Sequence, residues 1–330
     1  MKTPDNIISP TAYLQWLKEQ AVRHSQSYGS LHESDWGRLG EAIFTSGGVT
    51  DWVTEKVFQA SRSTAFPHPE EIPVGVIPLF EQNAFAIRPP CGGAVVCMDL
   101  HLGLVLYHLC AAFMQFCRTG DRDFQCDVVG FAMSSHVADV NTMTPKVMTL
   151  DKVVPNPEDD QDFNLSLSLL QLWLVTLVFL HEFAHCCLGH LNESAVTTRH
   201  LPFSDGLDIE TYSHMRKQEM EADAQAIHWL IYLTQEHTYA SIEVVPCVCY
   251  LLFGYFWVID HLFPIAKRER RTHPHAGERF FAAMDILKGE DSLGDKWIFP
   301  EYWLTFYYPI LKAIESGEIK QWDLPKLYWA

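Results

Sequence analysis

The sequence predicts an α+β chain, mainly helical, with a small β-hairpin or sheet beside one central helix. Three observations carry this. The stretch Leu165–His190, LSLSLLQLWLVTLVFLHEFAHCCLGH, is almost wholly apolar in its first part, and a helix apolar all round is buried. Residues 80–98 read as strand, turn, strand: Phe80–Ile87, the turn Pro89-Pro90-Cys91-Gly92-Gly93, then Ala94–Met98. Helical runs dominate the rest, at about 100–117, 212–232 and 244–262. A chain of 330 residues, 48% apolar and 13% aromatic, has the length of one large domain or two and is too apolar to be disordered.

In chain order, residues 8–25 form the first helix. Ser9 is its N-cap, Pro10 its first position, and Tyr13, Leu14 and Leu17 share a face. A second helix is expected at Asp35–Ile43 behind Ser34, closed by Ser46-Gly47-Gly48, and a short one at Asp51–Ala60. Residues 61–78 hold four prolines and read as a linker, so residues 1–78 are assigned to an N-terminal helical accessory region. The core is assigned to residues 79–285. It opens on the hairpin and continues into the helix Leu100–Cys117, where His101 and His108 read as core or surface histidines. Phe124–Met133 reads as a strand and Asn156–Asp162 as a solvated acidic loop. After the central helix, residues 191–212 are expected to form a loop bordering the cleft. The helix from about Tyr212 to Tyr232 packs through Ala222, Ala226 and Leu230, with His228 in the core. Residues 286–330, rich in Trp and Tyr, read as a packed C-terminal helical layer, with a partner-binding surface as the alternative.

The chemistry lies where the apolar helix runs into His181-Glu182-Phe183-Ala184-His185. Residues four apart share a helix face, so His181 and His185 can hold one metal ion between them. Glu182 sits about 100° further round, within reach of a water at that ion. This is the HExxH pattern of zinc peptidases. Such a site needs a third protein ligand and an open fourth position. Glu219-Met220-Glu221-Ala222-Asp223 supplies candidates. Glu219 as ligand leaves Asp223 one turn on, placed to accept a hydrogen bond from a ligand histidine. Glu221 is the rival ligand. His190, nine residues after His181, is too far round the helix to join the same ion easily, and reads as a helix-end histidine facing the dipole. A third patch follows at Thr272-His273-Pro274-His275-Ala276-Gly277-Glu278-Arg279.

These three motifs, in this order, resemble the zincin-like gluzincin peptidases of the HtpX and CAAX-prenyl-protease type. They resemble more closely the Lit peptidase family of phage-exclusion proteins, over roughly residues 83–285. The resemblance implies one zinc ion per chain on His181, His185 and Glu219, with Glu182 as the base. It places His273 near the cleft as a candidate oxyanion donor, a structural helix-start histidine being the alternative, and Arg279 is expected to anchor that helix by an ion pair. Asn83, Ala84 and Phe85 resemble the strand that holds substrate backbone in HtpX-type enzymes, a plain core hairpin being the alternative. The implied substrate is a protein, elongation factor Tu in the Lit family, cleaved in response to a phage peptide activator. A housekeeping soluble metallopeptidase and a non-enzymatic zinc-binding protein are the competing readings. Glu182 argues against the last, since a structural site has no use for a base there.

Composition narrows the partners. The 24 basic and 41 acidic residues leave a formal charge of -17, which argues against a nucleic-acid partner, since phosphate binding needs a basic face. It suits a basic peptide, or simply solubility. Nine cysteines lack framework spacing, and Cys186-Cys187 and Cys247-x-Cys249 read as buried thiols of a reducing compartment. The N-terminus MKTPDNIISPTAYLQW is polar, without a hydrophobic signal region, so a cytoplasmic location is expected. The apolar runs Leu165–Leu180 and Val244–Ile259 fall short of the about 20 residues of a spanning helix. Both are expected to be core helices, the second with a surface that can touch a membrane.

Overall fold

The computed structural model describes residues 9–27, 55–60, 72–77, 83–119, 160–193, 195–201, 207–213, 215–236, 241–262, 274–298, 306–308, 311–312 and 316. The expected elements at Asp35–Ile43 and Phe124–Met133 lie outside these residues, as does the first part of Asp51–Ala60, of which 55–60 is helical. The chain forms two compact units, Met1–Gly103 with Val175–Leu233, and Leu104–Leu174 with Thr234–Ala330.

The first unit is built on a five-stranded mixed sheet. Helix α1 (Pro10–Ser27) starts where the Ser9 hydroxyl accepts from the Ala12 N–H at 3.2 Å, a side-chain cap. Its Tyr13, Leu14, Leu17 and Ala21 lie on one face and join Ile77, Phe85, Ile87, Val95, Cys97, Leu207 and Ile209 in one core. The strands are β1 (Val74–Ile77), β2 (Ala84–Arg88), β3 (Val95–Asp99), β4 (Ala195–Leu201) and β5 (Leu207–Ser213), in the order β1-β3-β2-β5-β4. The β2–β3 hairpin is the expected one. Its turn needs Gly92 and Gly93 at φ 85 and 81, a left-handed backbone that favours glycine, and Gly92 donates to the Pro89 carbonyl at 2.9 Å.

Two corrections follow from this sheet. Residues 74–77, expected within a linker, form a strand parallel to β3, with Val74 opposite Val96 and Ile77 opposite Asp99. The β-branched run Val-Gly-Val-Ile outweighs the neighbouring prolines. Residues 191–212, expected as a loop, contain the β4–β5 hairpin, in which Ala195 faces Ser213 and Leu201 faces Leu207. The cause is a period-2 pattern: Leu207, Ile209 and Thr211 are buried while Asp208 and Glu210 are exposed. The helix after β5 therefore starts later than expected, as α5 (Arg216–Glu236).

The remaining helices are α2 (Leu100–Thr119), α3 (Gln161–Cys187), the short α4 (His190–Glu193), α6 (Val244–Leu262) and α7 (Ala276–Gly289), followed by a 3-10 helix at Asp291–Ile298. At 27 residues, α3 is longer than the apolar run expected, and long and apolar enough to cross a membrane by length and composition. Of its most apolar window 67% is buried. Asp160 caps it, accepting from Phe163 N at 3.0 Å and from the Arg118 guanidinium. The Phe163 N–H first, then Arg118, hold the Asp160 carboxyl below the usual carboxylate range.

In the second unit α6 and α7 pack together through Trp257, whose ring lies 5.3 Å from that of Phe280. Phe306 sits 5.5 Å from Phe113, and the Tyr307 hydroxyl donates to the Leu251 carbonyl at 2.9 Å. Phe306 and Tyr307 are thus buried within the second unit. His228 is exposed on α5 rather than in the core.

Candidate active site

Helix α3 supplies two of the three clustered donors. His181 and His185 stand one turn apart with Nε2 atoms 3.3 Å from each other. The helix holds them because its flanks are dry: Leu180, Phe183 and Ala184 are wholly buried, and the Phe183 ring rests 6.1 Å from Trp229 of α5. The first turn of α5 supplies the third donor. Glu219 Oε2 lies 3.5 Å from His181 Nε2, and its Oε1 lies 3.7 Å from His185 Nε2.

These separations fit a shared ion. Donors about 2.0–2.1 Å from a tetrahedral centre stand roughly 3.3 Å from one another, close to the 3.3, 3.5 and 3.7 Å found here. Burial supports the same conclusion. His185 is fully buried and Glu219 is 3% exposed, and a carboxylate removed from water needs compensation. Two imidazoles and a carboxylate can therefore hold a metal ion here.

Asp223, one turn beyond Glu219, places Oδ1 2.8 Å from His181 Nδ1. A neutral His181 presenting the lone pair of Nε2 carries its proton on Nδ1, the ring nitrogen that the Asp223 carboxylate approaches. Glu221, the rival ligand, points elsewhere: its Oε2 is 3.3 Å from His190 Nε2, and it is outside the clustered donors.

Glu182 follows His181 and is 9% exposed. Its carboxylate reaches two neighbouring thiols electrostatically. Burial pushes the Cys97 thiol far up, Lys18 draws it down, and Glu182 raises it again. Burial also pushes the Cys186 thiol up, with Cys187 and Glu182 adding to the rise. Cys97 is the register partner of Phe85 in the β2–β3 hairpin. The open edge expected of that hairpin is taken by β5 at Ile87 and Arg88. Asn83, Ala84 and Phe85 precede that pairing.

His190 was placed by sequence on the end of the metal helix, facing its dipole. That helix stops at Cys187, Gly189 adopts φ 75, and His190 begins α4. The turn brings His190 Nδ1 to 3.0 Å from His185 Nδ1. The available signal was Gly189 itself, since a glycine just past a helix end favours the left-handed turn that closes it.

The third sequence patch divides. His273 lies outside the described residues. His275 caps α7, its Nδ1 accepting from Gly277 N at 3.1 Å while Glu278 Oε2 accepts from His275 N at 3.3 Å. Asp260 Oδ2 accepts from Ala276 N at 2.9 Å. Arg279 anchors α7 to α6 by lying over the rings of Phe253 and Phe256, at 5.6 and 5.7 Å.

A family model described as Peptidase U49 matches residues 129–297, just over half of the 330 residues. No curated protein and no solved structure matches the chain. The matched stretch contains every clustered donor, along with Glu182 and Asp223.

Proposed function

The chain belongs to the Peptidase U49 family, and from that premise we propose that it is a zinc-dependent endopeptidase of Lit type with a zincin-like, gluzincin core. Membership makes it a peptidase acting on a protein or peptide. The observation that carries the metal reading is the buried His181–His185–Glu219 cluster with Glu182 beside it. Two nitrogens and one oxygen suit zinc, and three protein donors leave a position open.

When bound, the ion polarises the scissile carbonyl and acidifies a water. Glu182 takes the proton of the attacking water and returns it to the leaving amine, so one carboxylate serves as base and then acid. Asp223 keeps His181 in the tautomer that faces the cluster. Strand β2, through Asn83, Ala84 and Phe85, aligns the substrate backbone. His273 donates to the oxyanion.

The resemblance to Lit enzymes supports elongation factor Tu as substrate, a phage peptide as activator and a role in phage exclusion. It also supports a cytoplasmic location. The burial of most of the apolar window of α3 favours a core helix over a membrane span.

The test is zinc content together with substrate mapping. Wild-type protein should hold one zinc per chain, and His181→Ala and His185→Ala should hold none. Incubation with a bacterial lysate, followed by mapping of new N-termini, should yield a cut in the elongation factor. Undiminished zinc in both variants would reject the site. Cuts confined to other proteins would reject the elongation-factor assignment and keep the peptidase.

A further inference from the structure

One carboxylate of α5 has no task in the mechanism above. Glu221 lies between the ligand Glu219 and the supporting Asp223, with its side chain 45% exposed. Its Oε2 is 3.3 Å from His190 Nε2, and His190 Nδ1 is 3.0 Å from His185 Nδ1. His190 is 5% exposed and His185 wholly buried, so this chain of contacts runs from the protein surface to the clustered donors.

The chemistry of imidazole fixes the protons along it. To offer the lone pair of Nε2 to an ion, neutral His185 carries its proton on Nδ1. That proton has His190 Nδ1 as its acceptor, so Nδ1 of His190 is bare. Neutral His190 then carries its own proton on Nε2, the atom that faces Glu221. With both histidines neutral and Nε2 of His185 bare, only this assignment gives each contact one proton.

We propose that His190 and Glu221 are positioning residues that hold His185 for metal binding, as Asp223 holds His181. Each ligand histidine is then held by a carboxylate of α5, one directly and one through a second histidine. Gly189 makes the indirect route possible by turning the chain back at the end of α3. Lys217 Nζ lies 3.4 Å from Glu221 Oε1 but is 84% exposed, so it adds little. The inference rests on the metal reading and deepens it.

The experiment measures zinc affinity of the full chain by chelator competition, with the thermal stability of each metal-free protein alongside. His190→Phe should weaken zinc binding by about 10 to 100-fold, the usual loss when the partner of a ligand histidine is removed. Glu221→Ala should weaken it less, and should add nothing in the His190→Phe background, because one line of contacts is broken only once. Glu221→Gln should stay near wild type, since its amide oxygen still accepts from His190. A folded His190→Phe protein with wild-type affinity overturns the proposal. So do additive effects, or a Glu221→Gln loss equal to that of Glu221→Ala, which would leave charge alone as the cause. Should His190→Phe fail to fold, the exposed Glu221 decides: wild-type affinity in Glu221→Ala overturns the proposal and a loss reversed in Glu221→Gln supports it. A wild-type chain without zinc defeats the metal reading and this inference with it. Zinc that is lost in His181→Ala but indifferent to His190 and Glu221 defeats the inference alone.

Discussion

Glu219 and Asp223 are one helical turn apart, and the turn separates two kinds of work. Glu219 faces both imidazoles at 3.5 and 3.7 Å, whereas Asp223 approaches His181 at 2.8 Å on the far ring nitrogen. Glu219→Gln should therefore lose the metal, and Asp223→Asn should keep it with affinity weakened about 10 to 100-fold. Titration of each variant with zinc checks both; the opposite ranking would exchange the two roles. These residues were legible in sequence because i and i+4 share a face of any helix. The rivalry between Glu219 and Glu221 was not, because i and i+2 differ by about 200° and only the packing of α5 shows which side meets α3. His190 was illegible for a related reason: its reach to His185 depends on a single backbone reversal.

That reversal joins α3 to α4. Gly189 holds φ 75 between α3 and α4, a conformation that costs other residues roughly 1–2 kcal/mol. Gly189→Ala should lower stability by about that amount and weaken zinc binding, since it moves His190 away from His185. Calorimetry and zinc titration of one variant check the two effects; loss of stability with unaltered affinity would uncouple the turn from the site. The long helices were legible from their apolar runs and from caps such as Ser9. The β4–β5 hairpin was hidden by its polar content: Thr197, Thr198, Arg199 and His200 interrupt the apolar residues of β4. The alternation Leu207-Asp208-Ile209-Glu210-Thr211 was present, but short, and it was masked by the larger signal of the helix that follows.

Across the whole molecule, the clustered donors His181, His185 and Glu219, the proposed base Glu182, and Asp223, His190 and Glu221 fall in one unit, that of Met1–Gly103 with Val175–Leu233. Composition along the chain cannot report such a unit, because its two segments are separated by about 70 residues belonging to the other. An ion that binds only the folded site stabilises it by mass action, about 2.7 kcal/mol at a free concentration 100 times Kd. Zinc should therefore raise the unfolding temperature of the wild-type chain and a chelator should lower it, with neither acting on His185→Ala. Thermal scans with and without chelator check this, and an equal shift in His185→Ala would place the ion elsewhere.

The central claim is that Glu182 performs the chemistry at a metal it does not bind. The most direct measurement is the rate of substrate cleavage by Glu182→Gln and wild-type protein at equal, verified zinc content. Glu182→Gln should fold, keep one zinc per chain and lose about 10² to 10⁴-fold in rate, the usual worth of a general base. A zinc-replete Glu182→Gln protein that cleaves at the wild-type rate would contradict it.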